Sequence, residues 1–497
     1  MGVVVTSRWW WSWVLVASVA GLLACGPDAG AATPPVKHVF VIVLENESVA
    51  TTFGPGSAAP YLAGTLVSAG AYLPHYYSIG HASLDNYIAM ISGQAPNPTT
   101  QADCQTFSDF VTTGPTTSDG QAVGSGCVYP AAIQTLPDQL EAAGMTWRGY
   151  MESMGADPTR ESATCGHPAV GSPDNTQAET ATDQYATRHD PFVYFHSIID
   201  NTARCASDVV PLTRLAGDLS TYASTPNLSF ITPDLCNDGH DASCLNGGPG
   251  GLPAANAFLS TVVPEIEASP AYQRDGLLAI VFDESVGDSS ACCGEPTGPN
   301  TTAPGGNGPG GGDTGAVLLS PFIAPGTVTQ TAYNHYSLLR SIEDLFGLGH
   351  LGLAGQAGLT AFGSDVFTAP APGTTPPPPS PLPATPKPTP KPVAGVASVL
   401  GHGHASAGVV RLTITCTGKT TCAGKLSLDE PAATKRSKAV VVASGTYKVA
   451  AGKRGTVKLP LTKKGAALVA KHHGKLSLKL GITPRGGKPA THTLKLT

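Results

Sequence analysis

Five short segments hold the side chains whose types and spacing could do chemistry. Glu45 and Asn46 follow the apolar run VFVIVL, and Asp283 and Glu284 follow LLAIVF in the same way. Asp234, Asp238, His240 and Asp241 lie together in ITPDLCNDGHDASC, just after LSFIT. His335 stands in YNHYSLLRSIEDLF, where a helix should begin. Carboxylates in company with an imidazole suit a hard or borderline divalent cation. HASLDNYIAMISG adds a hydroxyl, because Ser83 follows His81 by two positions and precedes Asn86 by three. At a helix N-terminus a serine hydroxyl sits in positive backbone potential, which favours an alkoxide and a phosphate group. A nearby cation would lower its pKa further.

Each piece also has a plain structural reading. An acid at a strand end can be a helix cap or a solvated loop residue, Ser83 can cap the helix that follows it, and a lone histidine is usually structural. Two acidic strand ends facing one crevice lift the set above those readings. Other residues weigh less. Glu152 in YMESM adjoins a strand end, and His189 in RHDPF reads as a packing or hydrogen-bonding residue. GGNGPGGGDTG lacks the Lys-Ser/Thr ending of a phosphate loop and precedes a strand, so it reads as a loop near the site. Cys292 and Cys293 read as disulfide cysteines rather than reactive thiols.

The elements that must position these residues alternate. VFVIVL, TWRGYM, LSFIT, LLAIVF and AVLLS read as buried strands. AAPYLAGTLVSAGA, LPDQLEAAG, AANAFLSTVVPEIEAS and YSLLRSIEDLF read as helices between them. Apolar strands with helical crossovers predict an α/β fold, a doubly wound and largely parallel sheet. Ligands bind such sheets beyond the carboxyl ends of the strands, which is where Glu45 and Asp283 fall.

The chain of 497 residues is too long for one ordinary domain. Residues 1–31 read as an export signal, with Arg8 ahead of the apolar run WWWSWVLVASVAGLLAC. Two endings fit: cleavage at Ala29-Gly30-Ala31, or a lipobox ending in Cys25. The expected product is secreted or held at the cell surface. Of 11 cysteines, ten remain after Cys25, an even number that suits a disulfide framework in an oxidising compartment. Cys416 and Cys422 pair, since no other cysteine is near them in sequence; the others admit many pairings.

Residues 34–368 are expected to form one α/β domain carrying the candidate site, and 369–394 a Pro-rich spacer. Residues 395–497 form a small basic β-sandwich, read from runs such as VVRLTITC and GKLSLKLGI. After Pro392 there are 18 Lys and Arg against the two acids Asp429 and Glu430, so the remainder of the chain is strongly acidic. Those lysines could meet anionic cell-wall polymers or lipid headgroups, or simply be a solvated surface. Aromatic residues are few and do not interleave with basic ones, which argues against nucleic-acid binding.

VFVIVLENESVATTFG, HASLDNYIAMISG, LPDQLEAAGMTWRGYMESM, RHDPFVYF, FITPDLCNDGHD, VFDES and YNHYSLLRSIEDLFGL occur in the order found in a known family. Together they resemble the phosphoesterase family of bacterial acid phosphatases and phospholipases C, within the alkaline phosphatase superfamily. The C-terminal part is similar to Cys-x5-Cys β-domains appended to many secreted actinobacterial proteins. The catalytic resemblance implies an alkaline-phosphatase-like sheet and hydrolysis of phosphate esters with a divalent metal ion. It implies metal or phosphate contacts from Glu45, Asp238, His240, Asp283, Glu284 and His335, with Asn46 and Asn86 beside them. Ser83 would attack phosphorus in line, charge on the equatorial oxygens would be neutralised by Asn46 and the ion, and His81 or His240 would protonate the leaving alcohol. Asp85 stands where related nucleotide phosphodiesterases carry proline. The acid phosphatase branch, acting on monoesters, is expected ahead of phospholipase C. A surface-binding protein with a degenerate catalytic domain is the reading from another class.

Overall fold

The computed structural model describes residues 1–2 and 34–369, and in the C-terminal part 396–399, 402–406, 408–417, 421–430, 440–472, 475–484 and 490–496. Apart from residues 1–2 and 369, the expected export signal and the Pro-rich spacer lie outside the described residues. The chain divides into two compact units, Met1–Pro377 and Pro378–Thr497.

The first unit is built on one eight-stranded sheet. In chain order its strands are β1 (His38–Leu44), β2 (Ala71–Leu73), β3 (Trp147–Met151), β4 (Val209–Pro211), β5 (Leu228–Thr232), β6 (Gly276–Phe282), β7 (Ala316–Leu319) and β8 (Thr327–Val328). Their spatial order is β8-β2-β7-β6-β1-β5-β3-β4. The run from β6 to β4 is parallel, while β7 is antiparallel to both β6 and β2. All five strands expected from apolar runs are present.

Strand β1 shows why the run is apolar on both faces. Val39, Val41 and Val43 enter the core on one side of the sheet, and Phe40, Ile42 and Leu44 enter the core on the other. Every residue of the strand is buried, and each large apolar side chain contributes about 1.5–3 kcal/mol on that account. A strand covered on both faces cannot alternate with polar residues, so the first polar residue comes where the sheet ends.

Three helices matter for the site. Helix α1 (Ser83–Ser92) packs on the first face and ends at Gly93, which takes the left-handed conformation at φ 66°. Helix α2 (Gly251–Glu267) covers the second face. Helix α3 (His335–Phe346) is capped by the Asn334 side chain, which accepts from Ser337 N.

The second unit is mainly β. Among its described residues eight strands, from Val396–Val399 to Ala490–Leu496, form one continuous sheet around a core that includes Leu412, Ile414, Leu426, Leu480 and Leu494, with one helix, Lys463–Lys471. Cys416 and Cys422 are disulfide-bonded inside that core.

Candidate active site

Register brings the two acidic strand ends together. Leu44 of β1 pairs with Phe282 of β6, so Glu45 and Asp283 leave the sheet side by side. Asp283 N donates to Leu44 O at 2.8 Å, and Glu45 N donates to Asp238 O at 2.9 Å. The loop after β5 thereby joins the same edge. Asn46 takes a left-handed φ of 50°, which asparagine tolerates better than most residues. That turn aims its N–H at Asp283 Oδ1, 2.9 Å away.

Ser83 does not cap the helix. Ser83 is the first residue of α1, and its Oγ donates to Glu45 Oε2 at 2.9 Å. Asp103 Oδ1 accepts from Leu84 N at 3.0 Å, a task the cap would otherwise perform. The other Glu45 oxygen accepts from Tyr87 OH at 2.7 Å. Ser83 therefore offers its hydroxyl to a carboxylate, at the positive end of a helix.

Around Glu45 the charges are one-sided. Glu45, Asp238 and Asp283 are all buried, and Asp238 Oδ2 and Asp283 Oδ2 receive no hydrogen bond. Burial and the mutual repulsion of these carboxylates push Glu45 well above the carboxylate range. Burial, and then the neighbouring Glu284, push Asp283 up to about 7. His189 lies among them, with Nε2 3.4 Å from Glu45 Oε2 and Nδ1 3.8 Å from Asp238 Oδ2. Its ring stacks on Tyr87 at 5.2 Å, and neither ring nitrogen has a hydrogen-bond partner. Burial holds its pKa well below the usual value, so the ring is neutral. Unpartnered carboxylate oxygens around a neutral imidazole are a donor set that fits a divalent cation. Such a charge is also what a phosphate dianion would need to enter this acidic pocket.

In the sequence His189 reads as a packing or hydrogen-bonding residue, and the RHDPFVYF block is the one signal that could have marked it. The residue sits in a short 3-10 turn, Thr187–His189, where no periodicity marks a face. Only the tertiary fold sets it against Glu45.

The remaining expected residues divide. Glu284 uses both oxygens, accepting from Asn46 Nδ2 at 2.9 Å and pairing with His81 Nδ1 at 2.7 Å. His81 Nε2 faces Asp288 O at 2.7 Å, and the hydrogen bond to Glu284 raises its pKa. With acceptors at both nitrogens, His81 is held as an imidazolium. His240 stands at the rim with its side chain about half exposed, its Nδ1 3.0 Å from Asp241 Oδ1. That contact raises its pKa and leaves Nε2 open to solvent.

Two residues take supporting places instead of the ones the resemblance implies. His335 Nε2 donates to Asp283 O at 2.8 Å and Nδ1 meets Tyr76 OH at 3.0 Å, so neither nitrogen is available to a cation. Asn86 accepts from Ile79 N and Gly80 N and donates to Gly80 O and Ala82 O, which fixes the loop bearing His81. Asp234 is turned toward Ser153 and the backbone of its own loop, while Asp238 faces the cluster.

The cysteine pairs are Cys104–Cys127, Cys165–Cys205, Cys236–Cys244 and Cys292–Cys293. Cys236–Cys244 closes the loop that carries Asp238 and His240. Glu179 lies beside that bridge, but both sulfurs are consumed by the disulfide and the trio offers no metal site.

The sequence model of the Phosphoesterase family matches residues 55–349. A phosphatidylinositol-3-phosphatase from Mycobacterium tuberculosis is 26% identical over 70% of this chain and 87% of its own length. A probable acid phosphatase from Kluyveromyces lactis is 25% identical over 64% of this chain; the match spans only 59% of that relative. Among solved structures, a protein in the alkaline phosphatase superfamily from Vibrio parahaemolyticus is 10% identical with a TM-score of 0.36, covering 87% of this chain and 84% of that one.

Proposed function

We propose that this chain, which belongs to the Phosphoesterase family, is a phosphoester hydrolase that cleaves monoesters, with Ser83 as nucleophile and a divalent ion beside it. The observation that carries the reading is the Ser83 hydroxyl bonded to Glu45 Oε2 within a cluster of unpartnered ligand atoms. Glu45, Asp238, Asp283 and His189 would hold the ion. Once bound, it would supply the positive charge that draws a phosphate in and lowers the pKa of a nearby hydroxyl. His335 supports Asp283 and is not assigned as a ligand.

The chain's own groups account for the rest. Ser83 is aimed by its bond to Glu45 and by the N-terminal end of α1. Asn46 Nδ2, held on Glu284, has a second N–H to donate to a phosphoryl oxygen, and the His81 imidazolium adds positive charge beside it. His240, raised in pKa and open at Nε2, would protonate the leaving alcohol. Water would then release phosphate from the seryl ester.

Monoester preference is supported by the names of the relatives, which are phosphatases. The intact hydroxyl, acid and imidazole set favours catalysis over a degenerate binding role. Export is supported by the N-terminal sequence and by five disulfides. Among the described residues no helix is long and apolar enough to cross a membrane. The basic second unit is proposed to bind anionic cell-wall polymer or lipid headgroups, on the strength of its 18 basic residues against two acids. Retention of residues 393–497 on anionic vesicles or wall polymer, lost on adding salt, would test that part.

The deciding experiment compares a phosphomonoester with a phosphocholine diester, with and without chelator. Monoester turnover that disappears with chelator and returns with a divalent ion is expected. Preferential diester turnover would place the chain with the phospholipases C.

A further inference from the structure

The pocket so far described holds many acids and no permanent cation, although its proposed substrate is a dianion. Arg188 fills that gap. It precedes His189 in the same 3-10 turn and is 9% exposed. One guanidinium nitrogen, NH1, donates to Gln177 O at 3.0 Å. Gln177 in turn donates through Nε2 to Asp103 O at 2.8 Å, and Asp103 Oδ1 binds the N–H of Leu84, next to Ser83. This chain of bonds ties the guanidinium to the first turn of α1, where Ser83 stands.

The anchor uses one nitrogen of three. Among the described residues the Nε and Nη2 of Arg188 have no hydrogen-bond acceptor, and no carboxylate lies within ion-pair distance of it. None of its nitrogens is sealed from solvent without a partner either. The unit's other described arginines are differently placed: Arg148, Arg160, Arg204 and Arg274 each pair with a carboxylate, Arg340 donates to two carbonyls, and Arg214 is exposed. The Arg188 charge is felt at Asp103, at His189, and at Asp238 and His240 across the pocket. A buried, anchored guanidinium with no carboxylate partner, next to His189 in the chain, has the planar two-donor edge that matches two phosphoryl oxygens.

We infer that Arg188 binds the substrate phosphoryl group through its free guanidinium edge and selects the dianion of a monoester over the monoanion of a diester. The inference rests on the monoesterase reading above. It assigns a substrate-binding role, with no proton or bond transferred by the arginine itself.

The test uses the full chain, with p-nitrophenyl phosphate and bis(p-nitrophenyl) phosphate as substrates and inorganic phosphate as inhibitor. Arg188→Lys keeps the charge and loses the two-donor edge; Arg188→Ala loses both. Each variant is expected to weaken inorganic phosphate and to lower monoester kcat/KM by roughly 10- to 100-fold, with a smaller loss for the diester. Added guanidinium, but not urea, should restore part of the Arg188→Ala activity. Circular dichroism and thermal unfolding identify a misfolded variant, and Arg188→Lys then carries the test. Unchanged phosphate inhibition in a folded variant, or equal losses on both substrates, would overturn the assignment. Ser83→Ala run alongside separates the failures: if it stays active the site reading falls, and if it is inactive while Arg188 variants bind phosphate normally, only the arginine's role falls.

Discussion

Replacing Asp283 by asparagine should make the cation-free protein more stable and inactive at once. Asp283 Oδ1 accepts from Asn46 N and from Glu284 N, and an asparagine oxygen keeps both bonds. Oδ2 receives no bond, and the carboxyls of Glu45 and Asp283 face each other within hydrogen-bonding reach. The new amide would donate to Glu45 there. Burial, joined by repulsion from Glu284, lifts Asp283 from 3.8 to about 7. That rise corresponds to about 4 kcal/mol, at about 1.4 kcal/mol for each pKa unit.

The sign follows from proton linkage. A carboxyl whose folded pKa is raised binds more protons folded than unfolded, so its stability contribution is complete below the ordinary value and is lost as pH rises through about 7. In chelator at about pH 8, Asp283→Asn should therefore unfold up to about 4 kcal/mol later than wild type, a shift of roughly 5–10 °C. Well below the ordinary carboxylate pKa the two should nearly coincide. Adding a divalent ion should reverse the order near pH 8, because only wild type gains from binding it. Thermal unfolding at the two pH values, with and without ion, measures all of this. A variant less stable than wild type in chelator near pH 8 would show that no uncompensated carboxylate is buried here, and the cation-site reasoning would fail.

Three more expectations follow from single side chains. Asn86→Ala leaves Ile79 N and Gly80 N without their acceptor, so it should cost about 3 kcal/mol in urea unfolding and lower activity through a displaced His81. Glu284→Gln removes the carboxylate that raises the His81 pKa, so the alkaline limb of the kcat/KM profile should move to lower pH; an unmoved limb would exclude His81 as the charged group. Glu343, away from the site, accepts from Leu351 N while burial pushes its carboxyl up to about 8. Glu343→Gln should match wild type in acid and exceed it in stability as pH rises through about 8, with activity unaffected.

Much of the frame was legible because burial on both faces leaves an unbroken apolar run. VFVIVL and LLAIVF end where the sheet ends, so the first acids after them mark its ligand edge. Register was not legible, since nothing in either run states that Leu44 pairs with Phe282. RHDPFVYF entered the family resemblance as a block, but no role for Arg188 or for His189 at the site could be read from it. They occupy an irregular turn, and their approach to Glu45 and Ser83 depends on packing against α1. The reverse held for His335 and Asn86. Their residue types suggested chemistry, but each spends its polar atoms on backbone or tyrosine partners that only the fold supplies. Disulfide pairing was open for the same reason outside the Cys416–Cys422 loop.

The central claim is that Ser83 becomes covalently phosphorylated during turnover. Rapid acid quench of the cation-loaded protein with a phosphomonoester, followed by peptide mass spectrometry, tests it directly. The account predicts phosphoserine at residue 83 in wild type, none in Ser83→Ala, and a loss of kcat of about 1,000-fold or more in that variant. An unmodified Ser83 together with near-normal turnover by Ser83→Ala would contradict it.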